Sequence, residues 1–370
     1  MRVCTSAFAA GIVAASGVGV VSAQPSYDIF NIGVVDPGDI GSQGLGVSPG
    51  GIAVGRSQGV SNQAFSWTEA GGLAPLPKLA DRAFNVANGA NNSGVVVGTA
   101  SATFFGSNPL PVMWVNRAII QLDLPGSFTV GRANDVNSAG VTVGSVGGGI
   151  QETAVLWDAS GSPVLVNTPT PGGATMRTAF RINDSGWIVG QGTDPDNAAR
   201  NVGMVFDSFT GDSFEVGALP GDNGALAFGV SNAGHVVGSS MLNQGSGRPF
   251  VWTQAGGMVE IPLPAGTSSG IARAVNSDGW VVGIASGQFA VPFLFDGTTT
   301  YALGDLIDPA SGWDLLTNTS SGALGIAEDG SIVGTGVFDG DIRAFAMIVP
   351  APGTFALLVL GGLASARRRR

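Results

Sequence analysis

Few side chains in this sequence could do covalent chemistry. The one histidine, His235, follows Gly234 in a slot that Val95, Trp187 and Trp280 occupy elsewhere, so it reads as an ordinary strand residue. No Ser/His/Asp set can be built on it, and the spacings of zinc-helix and nucleophile-elbow motifs are absent. Carboxylates are the richer resource. A pair of them could serve as general acid and base on a glycosidic bond, but Asp184, Asp278 and Asp329 stand at turn positions whose backbone chemistry already explains them. Asp194-Pro195-Asp196-Asn197 and Asp339-Gly340-Asp341 bring together oxygens of the kind calcium takes, without the full spacing of a calcium loop. Calcium is thus the only candidate cofactor, and solvated turns are the simpler reading of both segments.

Aromatic residues are the other candidates. Phe65/Trp67, Trp114, Trp157, Phe206, Phe250/Trp252, Phe293/Phe295 and Phe345 recur at one place in a repeating unit and alternate with apolar residues, which predicts core packing rather than a row of sugar-stacking platforms. Trp187, Trp280 and Trp313 are less regular. Trp313 falls in a connection between units and is the candidate ligand contact.

The unit that must position these residues is marked by two glycines four apart around a mostly β-branched triplet. It appears as Gly51/Gly55, Gly94/Gly98, Gly140/Gly144, Gly186/Gly190, Gly234/Gly238, Gly279/Gly283 and Gly330/Gly334. A period of about 43 to 51 residues is that of propeller blades or other repeat arrays. Before the first glycine stands Val or Ile with Asn or Ser, as in Val136-Asn137 and Val275-Asn276, and Asn-x-x-Gly between apolar runs predicts a tight hairpin. The first glycine is expected to close the turn and the second to end a strand. The aromatic strand follows, then a fourth strand such as Gly257 to Ile261, giving four strands per unit.

Tyr27 to Ile32 has no partner before it and resembles a fourth strand, whereas the last unit stops at its third, Ala344 to Val349. An N-terminal strand that completes the last blade would leave no open ladder edge. The fold expected is therefore an all-β, seven-bladed propeller of four-stranded blades over residues 24–349. With strands lettered a to d outward, the a–b and c–d turns share one face. The b–c and d–a loops share the other, and because the b–c loops vary in length, recognition is expected there.

The repeat resembles a family of extracellular bacterial repeats named for a His-Ala-Phe (HAF) tripeptide, whose third strand reads Ala-Phe-x-Trp after an Asn-x-x-Gly-x-Val-Val-Gly hairpin. Gln63-Ala64-Phe65-Ser66-Trp67, Arg343-Ala344-Phe345 and Pro249-Phe250-Val251-Trp252 carry the resemblance, although the histidine is missing from every copy. The resemblance implies a secreted repeat domain and assigns no ligand.

Both ends carry targeting patterns. Residues 1–23 have a basic start at Arg2, a short apolar centre and the small-residue exit Val21-Ser22-Ala23, the pattern of a secretory signal peptide. The only cysteine, Cys4, lies within it. Residues 350–370 follow Val349 with Pro350-Ala351-Pro352-Gly353, an apolar run from Thr354 to Ala366, and Arg367, Arg368, Arg369 and Arg370. This order resembles the PEP-CTERM sorting signal processed by exosortases, with Ala351 where that family usually has Glu. The resemblance implies a membrane-spanning tail helix, an exosortase-like protease as partner, and transient anchoring before release at the cell surface. About 13 helical residues span only ~20 Å, short of the ~30 Å hydrocarbon core, which fits a temporary hold better than a permanent anchor.

Of the 16 basic residues, five lie in these end segments, leaving 11 against 26 acidic ones, a net of about −15. With Lys78 as the only lysine, nucleic acid is excluded as a partner. The expectation is an exported, non-enzymatic binding or structural protein of the cell surface or extracellular matrix, with an extracellular polysaccharide or a surface protein as its partner. The competing expectation is a secreted hydrolase or lyase that acts on polysaccharide through acidic residues of the variable loop face.

Overall fold

The seven turn segments, four of them Asn-x-x-Gly, fold as the hairpins their residues predict. In all seven, the N–H at the first position (Ser48, Asn91, Asn137, Asn183, Ser231, Asn276, Ala327) donates to the carbonyl four residues on. The turn glycine donates back to the first position over 3.0 to 3.1 Å. Gly51, Gly94, Gly140, Gly186, Gly234, Gly279 and Gly330 all have φ between 75° and 89°, a region in which a β-carbon is strained. Where the first residue is Asn, its Oδ1 accepts from the backbone inside the turn, as from Trp187 N to Asn183 and Trp280 N to Asn276. Its Nδ2 donates outward to the same position of the next blade, from Asn91 to the Asn137 carbonyl, Asn137 to Asn183, and Asn183 to Ser231. One side chain thus closes its own turn and joins two blades.

The computed structural model describes residues 24–350 except 104, 105, 150, 151, 198, 199 and 244. The expected signal segment, Ala351, Pro352 and the arginines Arg367 to Arg370 lie outside the described residues. Within them the chain is a seven-bladed propeller of antiparallel sheets. The innermost strands are Gly41–Val47, Phe84–Ala90, Gly131–Val136, Thr175–Ile182, Gly224–Val230, Thr267–Val275 and Gly322–Ile326. In six blades the a, b, c and d strands follow in chain order. In the seventh, the outer strand is Asp28–Asn31, paired with Asp341–Ile348 in the register Asp28↔Ile348 to Asn31↔Phe345. The expected closure by the N-terminal segment is what the chain adopts. The buried Tyr27 secures it, with its N–H on the Leu306 carbonyl and its hydroxyl on the Gly330 carbonyl.

The core is divided among the blade interfaces. Seven apolar clusters form, each drawn from two neighbouring blades, and the ring closes where Ile32, Val333, Ala344 and Ala346 of blade 7 meet Ala53, Phe65 and Trp67 of blade 1. Phe65, Trp114, Trp157, Phe250, Phe293 and Phe345 are among the largest fully buried side chains. The third-strand aromatics are therefore core, as their alternation predicts. The indole N–H groups of Trp114 and Trp157 find carbonyls at Pro77 and Asp123, so burial leaves no donor unpaired there.

One expectation is corrected. The second glycine of each pair does not end a strand but lies inside the b strand, as Gly55 does within Ala53–Gln58. A β-carbon there would collide with a carbonyl oxygen of the a strand, 1.9 Å away at Gly55, Gly98 and Gly144 and 2.1 Å at Gly283 and Gly334. At Gly55, Gly238, Gly283 and Gly334 it would also strike the ring of the third-strand Phe. The glycine lets the inner backbone and the aromatic ring close on the same point. No helix among the described residues is long and apolar enough to cross a membrane.

Two outcomes follow for stability. Deleting residues 24–32 bares the edge of Asp341–Ile348 and should lower the melting temperature far more than removing an equal length of unpaired chain, measured by thermal unfolding. Replacing Gly279 with Val should cost on the order of 1–3 kcal/mol through backbone strain. Gly283→Ala should cost a similar ~1–3 kcal/mol through overpacking despite its ordinary φ, so equal denaturation midpoints for wild type and Gly283→Ala would contradict the packing described.

Candidate functional site in the axial channel

Every innermost strand is interrupted at the same place. The a–b register slips by one residue between Gly44 and Gly46, Ala87 and Gly89, Ala133 and Asp135, Ala179 and Arg181, Ala227 and Gly229, Ala272 and Ala274, and Ala323 and Gly325. A bulge re-aims the side chain it carries. The seven extra residues, Leu45, Asn88, Asn134, Phe180, Phe228, Arg273 and Leu324, line one cavity of 310 Å³ on the propeller axis. The next residue in each blade, Gly46, Gly89, Asp135, Arg181, Gly229, Ala274 or Gly325, lines a second cavity of 110 Å³ that reaches the a–b turns. Asn88 and Arg181 border both.

The second ring is small in five blades because neighbouring backbones crowd it. A β-carbon on Gly46 would lie 2.5 Å from the Asn88 carbonyl, and one on Gly229 2.9 Å from that of Arg273. The two exceptions are adjacent and opposite in charge. Asp135 leans over Gly89, whose β-carbon would sit 2.6 Å from its Oδ1, and its Oδ2 accepts the Ile182 N–H at 3.1 Å. Burial in the channel wall pushes its carboxyl above the usual range, with Arg181 acting in the opposite sense. The Arg181 guanidinium reaches the carbonyls of Asn134 at 3.2 Å and Phe180 at 3.5 Å, and that of Leu45, in blade 1, at 3.5 Å. It braces the channel from blade 4 to blade 1 by satisfying carbonyls that the bulges free from the ladder.

The bulge ring is sorted by chemistry. Asn88 and Asn134 donate across the blade gap to the Ala133 and Ala179 carbonyls. Phe180 and Phe228 pack with ring centroids 5.1 Å apart and planes tilted by 37°, and the Arg273 guanidinium lies 4.7 Å from the Phe228 centroid. Leu324 and Leu45 complete the circle. Burial, and secondarily the nearby Arg181, pull the Arg273 guanidinium below its usual range.

The residues singled out in the sequence lie elsewhere. Trp313, half-buried in a two-residue strand (Trp313–Asp314) paired with Ile332–Phe338, packs against Phe338 at 5.1 Å and edge-on to Phe345 at 5.8 Å, so its indole is engaged by blade 7. Trp187, His235 and Trp280 each cover the turn glycine of the next blade, at 3.7, 3.6 and 3.4 Å from the β-carbon position of Gly234, Gly279 and Gly330. His235 Nδ1 is 3.2 Å from the Ser231 hydroxyl, inside the turn. Asp194 is held by Arg200 at 2.7 Å, which keeps its carboxyl below the usual range and already supplies a cation. Asp339 and Gly340, with φ of 49° and 91°, form a two-residue hairpin turn, and Asp341 pairs with Arg343 at 2.7 Å. No group of three or more His, Cys, Asp or Glu side chains among the described residues converges as a metal site would. Val349 and Pro350 leave the last blade exposed.

Asp135, Phe180, Arg181, Phe228 and Arg273 are what the reading of the sequence missed. The signal is present once the copies are aligned, because Asp135-Val136-Asn137 and Arg181-Ile182-Asn183 break a series that otherwise reads Gly46-Val47-Ser48, Gly89-Ala90-Asn91 and Gly229-Val230-Ser231.

No family model and no curated protein matches this chain. Its fold is shared with solved propellers. A streptogramin B lyase superposes with a TM-score of 0.55 at 15% identity, covering 87% of this chain and 98% of that one. The oligogalacturonate lyase of Vibrio parahaemolyticus gives 0.51 at 9% identity, over 88% and 97%. YCF48 bound to D1 peptide gives 0.50 at 11%, over 89% and 99%. At such identities the likeness is one of fold alone, and since it extends both to lyases and to a protein captured with a peptide, the fold does not decide between catalysis and binding.

Asp135 yields a pH test. Its carboxyl is raised in the folded state, so the native protein holds its proton more tightly than the unfolded chain, and this group's contribution to stability falls as pH rises above the ordinary value of 3.8. Asp135→Asn should therefore melt higher than wild type at pH 7, and the difference should shrink as pH is lowered toward that value. A difference that grows on acidification would contradict the enclosure described.

Proposed function

We propose that this protein is an exported binding protein of the cell surface or extracellular matrix, without catalytic activity, that takes its ligand in the axial channel. The observation that carries this reading is where the blades differ. The repeat keeps its turns, glycines and aromatic core in every copy, while the positions facing the axis hold aromatic, amide, cationic and aliphatic side chains in turn. A rigid ring with a varied lining is built for recognition.

The chemistry of the channel wall supports binding over turnover. Asp135 is the only carboxylate of the two inner rings, and one of its oxygens is taken by a backbone N–H. The carboxylates nearer the mouth are tied between neighbouring turns, Asp184 to Ser138 and Asn232, and Glu328 to Ser277. Export and surface placement rest on the signal-like start and the PEP-CTERM-like tail, with processing by an exosortase-like protease. The partner at the surface is proposed to be an extracellular polysaccharide or surface protein.

Two measurements test this. Purified from the surface, the protein should have an intact mass lacking Arg367 to Arg370, and Arg367–Arg370→Ser should release more of it to the medium. A mass that includes those arginines replaces sorting with a plain tail anchor. Leu324→Trp, which fills the channel, should abolish binding to the cell's own extracellular polymer without lowering the melting temperature. Turnover of polysaccharides or esters that is lost in Asp135→Asn would overturn the binding reading in favour of a hydrolase or lyase.

A further inference from the structure

Arg273 is the one bulge residue whose charge is left unmet. Its Nε is buried with no acceptor, and no described residue accepts a hydrogen bond from the guanidinium or forms an ion pair with it. Its guanidinium lies over the face of Phe228, which orients the planar group without neutralising it. Arg181 differs, since backbone carbonyls take up its donors. A partly buried cation with an idle donor costs stability unless something completes it, and here it opens on a cavity of 310 Å³.

We infer that this cavity binds a small monocarboxylic acid with an apolar body, the carboxylate on Arg273 and the body between the Phe180/Phe228 pair and Leu45/Leu324. This rests on the channel being a binding site, and it adds a small ligand to the surface partner proposed above. A guanidinium presents parallel N–H donors that match the two oxygens of a carboxylate. A phosphate suits the site less well, because its further charged oxygens find no free donor, Arg181, Asn88 and Asn134 being committed to carbonyls. The tilted pair of phenyl rings on one side and the leucines on the other offer apolar walls to the remainder of the molecule. A cavity of this size lies at the lower end of the ~300–1,000 Å³ typical of ligand sites, which sets the scale at a single ring or short chain.

The test uses the full mature protein with phenylacetate, phenylacetamide and inorganic phosphate, followed by calorimetry and thermal unfolding. Phenylacetate should bind and raise the melting temperature, whereas the neutral amide and phosphate should bind at least about tenfold more weakly, the scale of one charge-assisted contact. Arg273→Met should lose phenylacetate binding by at least about tenfold while keeping or raising the ligand-free melting temperature, because it removes an unpaired buried charge. Should Arg273→Met fail to fold, Arg273→Lys, which keeps the charge but not the planar fork, should still weaken phenylacetate measurably. Equal binding of phenylacetate and phenylacetamide, or phosphate bound more tightly than either, overturns the carboxylate assignment. If no probe binds but Leu324→Trp still abolishes binding to the extracellular polymer, the ligand class is wrong and the channel reading survives. If Leu324→Trp has no effect on the polymer either, both fail.

Discussion

The architecture depends on how closely the two inner strands of each blade approach. A carbonyl oxygen of the a strand lies about 2 Å from where a β-carbon of the b-strand glycine would be, in all seven blades. Only hydrogen fits that gap, so the glycine is a steric requirement rather than a source of flexibility. The ring of the third-strand phenylalanine fills the same space from the other side in several blades, which draws the blade inward. The register slip falls directly beyond this contact, and with it the residue directed to the axis. One close approach, repeated seven times, sets both the width of the ring and the position of its lining.

Two kinds of bond then hold the blades to one another. Apolar clusters at the interfaces supply most of the burial, each shared by two blades. At the turn face, the Asn that closes a hairpin also bonds the next hairpin, and where Asn is replaced by Ser48, Ser231 or Ala327 that link is absent or is made by the adjacent residue, as Glu328 does with Ser277 and the Pro49 carbonyl. Polar groups here secure spacing and registry, while the stability comes from the apolar contacts behind them.

Most of this was legible in the sequence because it repeats. Glycine pairs, Asn-x-x-Gly turns and a displaced fourth strand define blade number and closure, and each has a local cause that a short window reveals. The second glycine was misread as a strand terminus because its partner, a carbonyl in another strand, has no sequence signature of its own. The channel was missed for a related reason. A repeat is recognised from what its copies share, whereas Asp135, Phe180, Arg181, Phe228 and Arg273 matter because they depart from the shared pattern at positions that become neighbours only when the ring closes. Loop length points to the face of the b–c and d–a loops, and Trp313 stands out by its irregular position while packing on Phe338 and Phe345 of blade 7.

The outer strand of the last blade has a kinetic consequence. Tyr27 reaches Gly330 across 303 residues of chain, so the segment formed first in synthesis finds its ladder partner only after all seven units exist. Contacts of such long range are slow to form, and blades can assemble from their neighbours before this one is complete. Until then the edge of Asp341–Ile348 is unpaired, and Ile29 on one face of the strand and Phe30 and Ile32 on the other have no cover. Until Asp28–Asn31 docks, the propeller is a nearly assembled ring with one open seam, and the last step of folding is the closing of that seam.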